Sequence, residues 1–295
     1  MRSADLLLTE CVVRALREDL AEAGDVTTAV ALAIDRPARA RIIARAAGVI
    51  AGTAAARATF AVLSPGSEVW SVEDGTRVSP GDLVCTVAAP AGAILAAERT
   101  ALNFLQRLSG IATRTAAFVD AVRGTGAEIL DTRKTTPGLR VLEKAAVRAG
   151  GGQNHRVGLF DQVLLKENHF ALARPRGIED VVRAAVAESA RRLGPDVPVV
   201  AEARDEQEAL ACVAGGARIV LLDNFVAGPA LAALVGRLRR AAESRGAALL
   251  IEVSGGVTLD NVRAFAECGV DRISIGGLTH SAPALDLSLL VEGTA

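Results

Sequence analysis

The sequence contains 295 residues, 51% of them hydrophobic, and its 33 basic and 34 acidic side chains give a net charge of −1 at pH 7. This length supports a substantial core and predicts two domains, or one large α/β domain with an appendage. The near-neutral charge argues against nucleic-acid binding, which needs a broad basic surface, and the hydrophobic content argues against disorder.

The first third of the chain predicts a small α+β unit, because helices and short strands come in separate blocks. Residues 4–22 carry apolar side chains at helical spacing, and a turn or loop is expected at 25–28. A strand at 38–50, a short helix ending at Leu63 and β-hairpins between 69 and 92 follow.

Two helices come next, at 95–112 and then to about residue 122, and beyond them strands alternate with helices. The predicted strands are 128–130, 162–165, 197–201, 218–222, 249–253 and 272–275. The predicted helices are 139–149, 178–193, 205–214, 228–244 and 259–267. Such βα repeats predict a parallel sheet, and because nearly every strand ends in a charged residue, a serine or a glycine, we favour a barrel, whose strand ends meet at one mouth, over a doubly wound sheet.

The scattered cysteines and the N-terminal segment predict a reduced, cytoplasmic protein. The four cysteines form no CxxC pair, which argues against disulfides and zinc. Glu10 and Arg14 occur too early for the apolar region of a signal peptide, and no uncharged run reaches membrane-spanning length.

Lysine is confined to one segment of the chain. Only Lys134, Lys144 and Lys166 are lysines, and all lie within 131–169, whose seven basic and four acidic side chains give +3 while the rest of the chain carries −4. Lysine is a compact point charge that arginine does not replace. The segment therefore predicts a site for a small anionic ligand, with Lys134 and Lys166 as candidates, whereas Lys144, inside a predicted helix, fits an ordinary solvated lysine equally well.

Two carboxylates, Glu202 and Asp223, follow successive predicted strands and would lie side by side at a barrel mouth. Such a pair suits Mg²⁺, which keeps several waters and bridges to substrate phosphates, and either acid could stabilise a developing cation. The alternative for each is a helix cap or an ordinary surface acid.

Glycine-rich turns follow the last two predicted strands, at 255–256 and 276–277. Backbone N–H groups at such turns bind phosphate, although a tight turn without a ligand is the alternative. The glycines at 150–152 fit a helix C-cap, and His280 fits a capping or packing role. Neither a dinucleotide fingerprint nor a P-loop is present, and no Ser/His/Asp arrangement has supporting context.

Ordered motifs along nearly the whole chain resemble those of the quinolinate phosphoribosyltransferase family, also called nicotinate-nucleotide pyrophosphorylase (carboxylating). The motifs that carry the resemblance are Gly24-Asp-Val-Thr-Thr28, Glu98-Arg-Thr-Ala-Leu-Asn103, Asp131-Thr-Arg-Lys-Thr-Thr-Pro-Gly138, Gly150-Gly-Gly-Gln-Asn-His-Arg156, Leu165-Lys-Glu-Asn-His169, Leu221-Leu-Asp-Asn224, Glu252-Val-Ser-Gly-Gly256 and Ile275-Gly-Gly-Leu-Thr-His-Ser281.

The resemblance implies the α/β type II phosphoribosyltransferase fold. An N-terminal α/β sandwich domain (1–108, with 280–295 returning to it) would join an incomplete, seven-stranded α/β barrel (109–279). It also implies a homodimer with shared active sites, with hexamers as a further option. The implied reaction transfers phosphoribosyl from phosphoribosyl pyrophosphate to quinolinate with decarboxylation, giving nicotinate mononucleotide, pyrophosphate and CO₂ in de novo NAD biosynthesis.

The resemblance also implies roles for individual residues. Quinolinate would be bound by Arg99 of the partner subunit, Arg133, His155, Arg156 and Lys166. Phosphoribosyl pyrophosphate and Mg²⁺ would be bound by Lys134, Glu202, Asp223, Ser254, Gly255, Gly256, Gly276 and Gly277, with Lys134, Glu202 and Asp223 catalytic and the two acids at the metal. The family often has a second acid two residues before Glu202, where this chain has Val200.

Two alternatives remain open on the sequence. One is the molybdenum-transport-associated paralogue of the same fold, which shares an RKT-x-PG element and would use another acceptor. The Asp131 prefix and the Lys166–His169 element favour the quinolinate enzyme. The other is a non-catalytic barrel that senses an anionic metabolite.

Overall fold

The computed structural model describes residues 2–31, 36–194 and 197–292. The chain forms two compact units. The first comprises the residues up to 116, 134–152 and those from 277 onward, and the second comprises 117–133 and 153–276. No helix within the described ranges is both long and apolar enough to cross a membrane.

The first unit contains a four-stranded antiparallel sheet and a two-stranded one. The spatial order of the larger sheet is β12 (Leu287–Glu292), β1 (Pro37–Ala44), β5 (Leu83–Pro90), β3 (Glu68–Ser71). The smaller sheet pairs β2 (Gly48–Val49) with β4 (Arg77–Val78). The last strand of the chain therefore pairs with the first, in register from Arg39 opposite Glu292 to Ala44 opposite Leu287.

Helices cover one face of the larger sheet. The helices whose residues lie wholly or mainly in this unit are α1 (Arg2–Leu20), α2 (Val26–Ala31), α3 (Thr53–Leu63), α4 (Ala91–Ala121), α5 (Arg140–Ala149) and α11 (Gly277–His280). Alternate residues of β1, such as Ile42, are buried in one cluster with Phe60 of α3 and Leu102 of α4. The intervening Arg39 and Arg41 are exposed, so the alternation of the strand decides which face forms the core.

Two predictions for this part of the chain are wrong. A boundary was expected near residue 112, but α4 is one helix of 31 residues. The Gly110 it contains is explained by packing, because a Cβ there would lie 2.0 Å from the carbonyl oxygen of Pro283. Residues 25–28 were expected to form a turn, but α2 begins at Val26, and the Asp25 carboxylate accepts hydrogen bonds from the N–H and the hydroxyl of Thr28, as an N-cap does.

The second unit is organised around a six-stranded parallel sheet. Its spatial order is β6 (Glu128–Leu130), β11 (Arg272–Ser274), β10 (Leu250–Ser254), β9 (Ile219–Asp223), β8 (Val199–Ala203), β7 (Val163–Leu165). The helices between the strands are α6 (Glu167–Leu172), α7 (Ile178–Leu193), α8 (Glu206–Ala214), α9 (Pro229–Glu243) and α10 (Val262–Glu267). The predicted α/β class with parallel βα repeats is confirmed, and each of these strands begins and ends within two residues of its predicted bounds.

The seventh strand of the expected barrel is reduced to one bridge. Gln153 pairs in parallel with Leu130 on the edge strand β6. The N–H of Gln153 donates to the carbonyl of Ile129 at 2.8 Å, and the N–H of Asp131 donates to the carbonyl of Gln153 at 3.1 Å. The segment that leads to His155 is therefore fixed beside the end of β6.

The parallel register arranges one face of this sheet in levels. We call it the inner face; its apolar residues include Leu164, Val200 and Ile219, which are in register, and Leu221, one level further along. Glu202 and Glu252 are both in register with Leu221, and Arg272 is in register with Glu252. At the carboxyl ends of the strands, the residues in register are Asp223, Ser254, Ser274 and Leu130. The inner face thus becomes polar toward the ends of the strands.

Candidate active site

The carboxyl ends of the six parallel strands bring most of the predicted site residues of the second unit to one edge of the sheet. Arg133 follows β6, Lys166 follows β7, Asp223 ends β9 and Ser254 ends β10. Glu202 was predicted to follow its strand, and this is wrong, because β8 continues to Ala203 and Glu202 lies within it. Its side chain therefore belongs to the inner face and is almost fully buried.

Glu202 and Lys166 form an ion pair. The Glu202 carboxylate is 3% exposed and the Lys166 side chain 46%, so the pair has one buried and one accessible member. Burial raises the pKa of Glu202 above its ordinary value, and the hydrogen bond from Lys166 opposes that rise. The nearby charge of Asp223 raises the pKa further, as expected for two carboxylates on one face of neighbouring strands.

The turns after β9 and β10 are locked together. Asn224 has a left-handed backbone (φ 60°), its side-chain amide donates to the Asp223 carboxylate at 2.7 Å, and its N–H donates to the carbonyl of Ser254 at 2.8 Å. A Cβ at Gly255 (φ 93°) would lie 2.1 Å from the Asn224 amide oxygen. Glycine is therefore required at 255 to let the two turns approach.

The His155 ring is held on both of its nitrogens. Nδ1 lies 2.7 Å from the N–H of Arg156 and accepts from it, so the ring proton belongs on Nε2. Nε2 lies 3.4 Å from the carboxylate of Glu252. The N–H of His155 donates in turn to the buried Asp131 carboxylate at 2.9 Å. These hydrogen bonds fix the backbone at His155 and Arg156.

Arg133 and Arg156 supply the positive charge of the site. Burial lowers the pKa of the Arg156 guanidinium, and the charge of Arg133 lowers it further, so the two cations are close enough to repel. Arg156 donates to the carbonyl of Gln162 at 3.4 Å and helps to line a cavity of about 520 Å³ together with His155 and Asp161. Two arginines held together in this way are suited to a ligand with two negative groups.

Glu252 lies beside these residues and was not predicted as a site residue, although it belongs to one of the family motifs. It is fully buried, accepts a hydrogen bond from the Ser274 hydroxyl and faces His155. Its other oxygen, Oε2, has no hydrogen-bond partner within the described part of the chain. The available signal was its position two residues before Ser254, on the same face of a strand with otherwise apolar residues.

Three of the predicted site residues, Arg99, Lys134 and Gly277, belong to the first unit. Lys134 is exposed and its carbonyl accepts a hydrogen bond from the Thr279 hydroxyl, while Gly277 begins α11. Arg99 is exposed on α4 and lines a cavity of about 470 Å³ with Arg14 and Asn103. Lys144 is 2% exposed, so the alternative of a solvated surface lysine is wrong for it.

The donor set for a divalent metal consists of two carboxylates. Among the described residues, no group of three or more His, Cys, Asp or Glu side chains is arranged to hold a metal. Glu202 and Asp223 interact, however, and both point from neighbouring strands to the same face. Two carboxylates fit Mg²⁺, which completes its octahedral shell with water and substrate phosphate oxygens.

The chain is similar to known proteins over almost its whole length. Two family models match: quinolinate phosphoribosyl transferase, N-terminal domain, over residues 25–109, and its C-terminal domain over residues 111–290. The nicotinate-nucleotide pyrophosphorylase [carboxylating] of Mycobacterium leprae is 42% identical over 95% of each chain. Quinolinate phosphoribosyltransferase [decarboxylating] 1b of Nicotiana tabacum is 38% identical over 94% of this chain and 80% of its own length.

A solved structure agrees with these matches. The nicotinate-nucleotide pyrophosphorylase from Francisella tularensis superposes with a TM-score of 0.85 and 35% identity, covering 98% of this chain and 97% of that one. Sequence models for both domains, relatives above 30% identity and a structure of the same fold all agree on one assignment. The chain belongs to the quinolinate phosphoribosyltransferase family.

Proposed function

We propose that this chain transfers phosphoribosyl from phosphoribosyl pyrophosphate to quinolinate with decarboxylation, yielding nicotinate mononucleotide, pyrophosphate and CO₂ for NAD biosynthesis. The observation that carries the proposal is the combination of a cationic pair, Arg133 and Arg156, with interacting carboxylates, Glu202 and Asp223, at one edge of the parallel sheet. Cations suit the dicarboxylate acceptor, and carboxylates suit a ribosyl cation. Membership of the family identifies quinolinate and phosphoribosyl pyrophosphate as the substrates.

The acceptor is assigned to the cations. Arg133, Arg156 and Lys166 each provide donors for the two carboxylates of quinolinate, and guanidinium groups match a carboxylate with two parallel hydrogen bonds. His155 was expected to bind quinolinate directly. Its two nitrogens are engaged by Arg156 and Glu252, and these contacts support a role in orienting Arg156 as well.

The donor is assigned to Lys134, Glu202, Asp223 and the turns at 254–256 and 276–277. Lys134 follows Arg133 directly in the chain and supplies positive charge for the departing pyrophosphate. The N–H groups of the glycine turns are suited to phosphate oxygens. Glu202 and Asp223 would hold Mg²⁺, which would supply positive charge to neutralise the phosphates.

The reaction develops charge twice, first as positive charge on the ribose and later as an electron pair left on the pyridine ring by decarboxylation. The bond from C1 of ribose to pyrophosphate breaks with its electron pair leaving on oxygen, and the pyridine nitrogen of quinolinate attacks C1. Glu202 and Asp223 stabilise the oxocarbenium-like ribose electrostatically. The C2–CO₂ bond then breaks, the electron pair remains on the cationic ring, and a proton replaces the carboxylate. The protein holds two anions in position and needs no covalent intermediate.

We further expect a cytoplasmic homodimer in which Arg99 of the partner subunit completes each acceptor site. Mixing an Arg99→Ala chain with an Arg133→Ala chain then restores activity in the fraction of dimers that assemble one intact site. Absence of any recovery in mixed dimers, shown to have formed by mass, would exclude the shared site.

A turnover assay with phosphoribosyl pyrophosphate and Mg²⁺ tests the reaction, with quinolinate and nicotinate offered separately as acceptors. The proposal requires nicotinate mononucleotide and CO₂ from quinolinate and little product from nicotinate. Arg133→Ala is expected to abolish quinolinate binding while the fold is kept. If the unaltered chain binds phosphoribosyl pyrophosphate but does not turn over quinolinate, the paralogue with another acceptor is favoured instead. A sensor would show no turnover even in the unaltered chain and would keep its ligand affinity in Glu202→Ala, whereas an enzyme would lose turnover in that variant.

A further inference from the structure

The loop that carries Lys134 is held by a buried ion pair within the first unit. We propose that Arg107 and Glu143 are positioning residues that set the backbone of this loop, and therefore the place of Lys134, for the phosphoribosyl pyrophosphate half of the reaction. The inference rests on the role of Lys134 in the proposed function. Neither residue is among those that the resemblance assigned to the site.

Glu143, on α5, is the centre of the arrangement. It is fully buried, and its Oε1 accepts hydrogen bonds from Nε and Nη2 of Arg107, at 3.2 and 2.9 Å. The same carboxylate accepts from the N–H of Thr136 at 3.1 Å and from its hydroxyl at 2.7 Å. Two of the four donors to this carboxylate therefore come from the loop, two residues after Lys134.

Arg107, on α4, extends the contacts to the other side of Lys134. It donates to the carbonyl of Thr279, and at 3.1 Å to the carbonyl of Ala282. Thr279 is itself fully buried, and its hydroxyl donates to the carbonyl of Lys134 at 2.8 Å. The backbone at 134–136 is thus fixed by Glu143 on one side and by Thr279 on the other. Both residues accept hydrogen bonds from the Arg107 guanidinium.

Residues 134–139 are the part of the molecule that needs such support. They lie in no helix or strand, although the N–H of Leu139 donates to the carbonyl of Thr136 at 3.0 Å. Side-chain contacts add to this, including a 3.0 Å hydrogen bond from Arg140 to the Thr135 hydroxyl. A buried ion pair contributes little net stability compared with apolar residues of similar volume, because desolvation offsets its attraction. Its specific contribution is geometry, and the geometry set here is that of the loop with Lys134.

Thr136→Val tests the proposal with minimal change, because valine keeps the shape and removes only the hydroxyl that donates to Glu143. Thr59→Val is the control for removing a threonine hydroxyl elsewhere in the same unit: Thr59 is fully buried, and its hydroxyl donates to the carbonyl of Ala55 within α3, away from the loop. Loss of a hydrogen bond to a charged acceptor predicts a rise of about tenfold in KM for phosphoribosyl pyrophosphate in Thr136→Val. KM for quinolinate should change less than twofold, and Thr59→Val should lower the melting temperature with both KM values unchanged.

A second variant removes the charge. Glu143→Gln is expected to raise KM for phosphoribosyl pyrophosphate at least as much, and adding Thr136→Val to it should change KM little further, because both act through one contact. Unchanged KM in Thr136→Val, or equal effects on both substrates, would overturn the inference.

Failure of the proposed function gives a different result. In that case the unaltered chain does not turn over quinolinate, and calorimetric titration with phosphoribosyl pyrophosphate takes the place of KM. If Thr136→Val binds phosphoribosyl pyrophosphate more weakly than Thr59→Val does, the positioning role is supported even without the reaction. Equal binding by the two variants would overturn the positioning role.

Discussion

Two fully buried carboxylates, Glu143 in the first unit and Glu252 in the second, are satisfied in opposite ways. Glu143 accepts four hydrogen bonds spread over both oxygens and is paired with an arginine. Glu252 accepts one hydrogen bond, from Ser274, faces a histidine at 3.4 Å and has an oxygen without a partner in the described ranges. The first arrangement is closed, whereas the second retains capacity to accept a donor.

The difference separates a group that fixes structure from one that serves chemistry. A buried polar atom without a partner costs stability, so its retention needs an explanation, and a functional role is one. Glu252 lies on the inner face behind His155, one level below Asp223 and Ser254. Changes at Glu143 should therefore appear in stability and, through the loop, in KM for phosphoribosyl pyrophosphate, and changes at Glu252 mainly in kcat/KM for quinolinate.

The largest expected effect is the loss of stability in Glu143→Ala. It leaves Arg107, whose side chain is 30% exposed, without its counter-ion and removes the acceptor of two donors in the loop, at a cost of about 3 kcal/mol in the free energy of unfolding. Urea unfolding measures it. Glu206→Ala is the control, since its pair with Arg237 is exposed and should cost less than about 1 kcal/mol. Similar losses in the two variants would contradict the distinction.

Glu252→Gln should show the reverse pattern. Glutamine keeps the shape and an acceptor for Ser274 but removes a buried charge, so the free energy of unfolding should change by less than about 1 kcal/mol. The contact with His155 loses its charge, and kcat/KM for quinolinate should fall by about tenfold through the disturbed His155–Arg156 backbone. Steady-state kinetics and urea unfolding of the same preparation measure the two effects. A variant with full activity and much reduced stability would make Glu252 a structural residue like Glu143.

Glu202 is intermediate, being buried but paired with a lysine that reaches solvent. Burial raises the pKa of Glu202 and Lys166 lowers it, so Lys166→Gln should raise the pKa further. Because the ionised carboxylate is the form required, activity is lost as pH falls through this pKa, and the acid limb of the kcat/KM profile should move to higher pH. Arg183→Gln, which alters an exposed pair with Glu179, should leave the profile in place. An acid limb that stays or moves to lower pH would exclude Glu202 as its source.

The sequence predicts the framework of both units more fully than it predicts these contacts. Apolar runs and helical periodicity locate the strand Glu128–Leu130 and the helix Ile178–Leu193 without error, because local pattern determines them. The need for glycine at 110, inside α4, comes from the carbonyl of Pro283, far away in the chain. The roles of Glu143 and Glu252 likewise depend on partners distant in sequence, which a single sequence does not reveal.

The smallest expected effect, and the sharpest test of how Glu252 is satisfied, comes from Ser274→Ala. Ser274 is 3% exposed and its hydroxyl is the donor to Glu252 Oε1, so removing it should cost about 1–2 kcal/mol in the free energy of unfolding. In the Glu252→Gln background the same change should cost about 1 kcal/mol less, since a neutral amide needs the donor less than a carboxylate does. Urea unfolding of the four proteins gives the coupling energy. Strict additivity would mean that the hydroxyl and the carboxylate do not interact. The contact with His155 would then be the remaining stabilising contact that the described residues give Glu252.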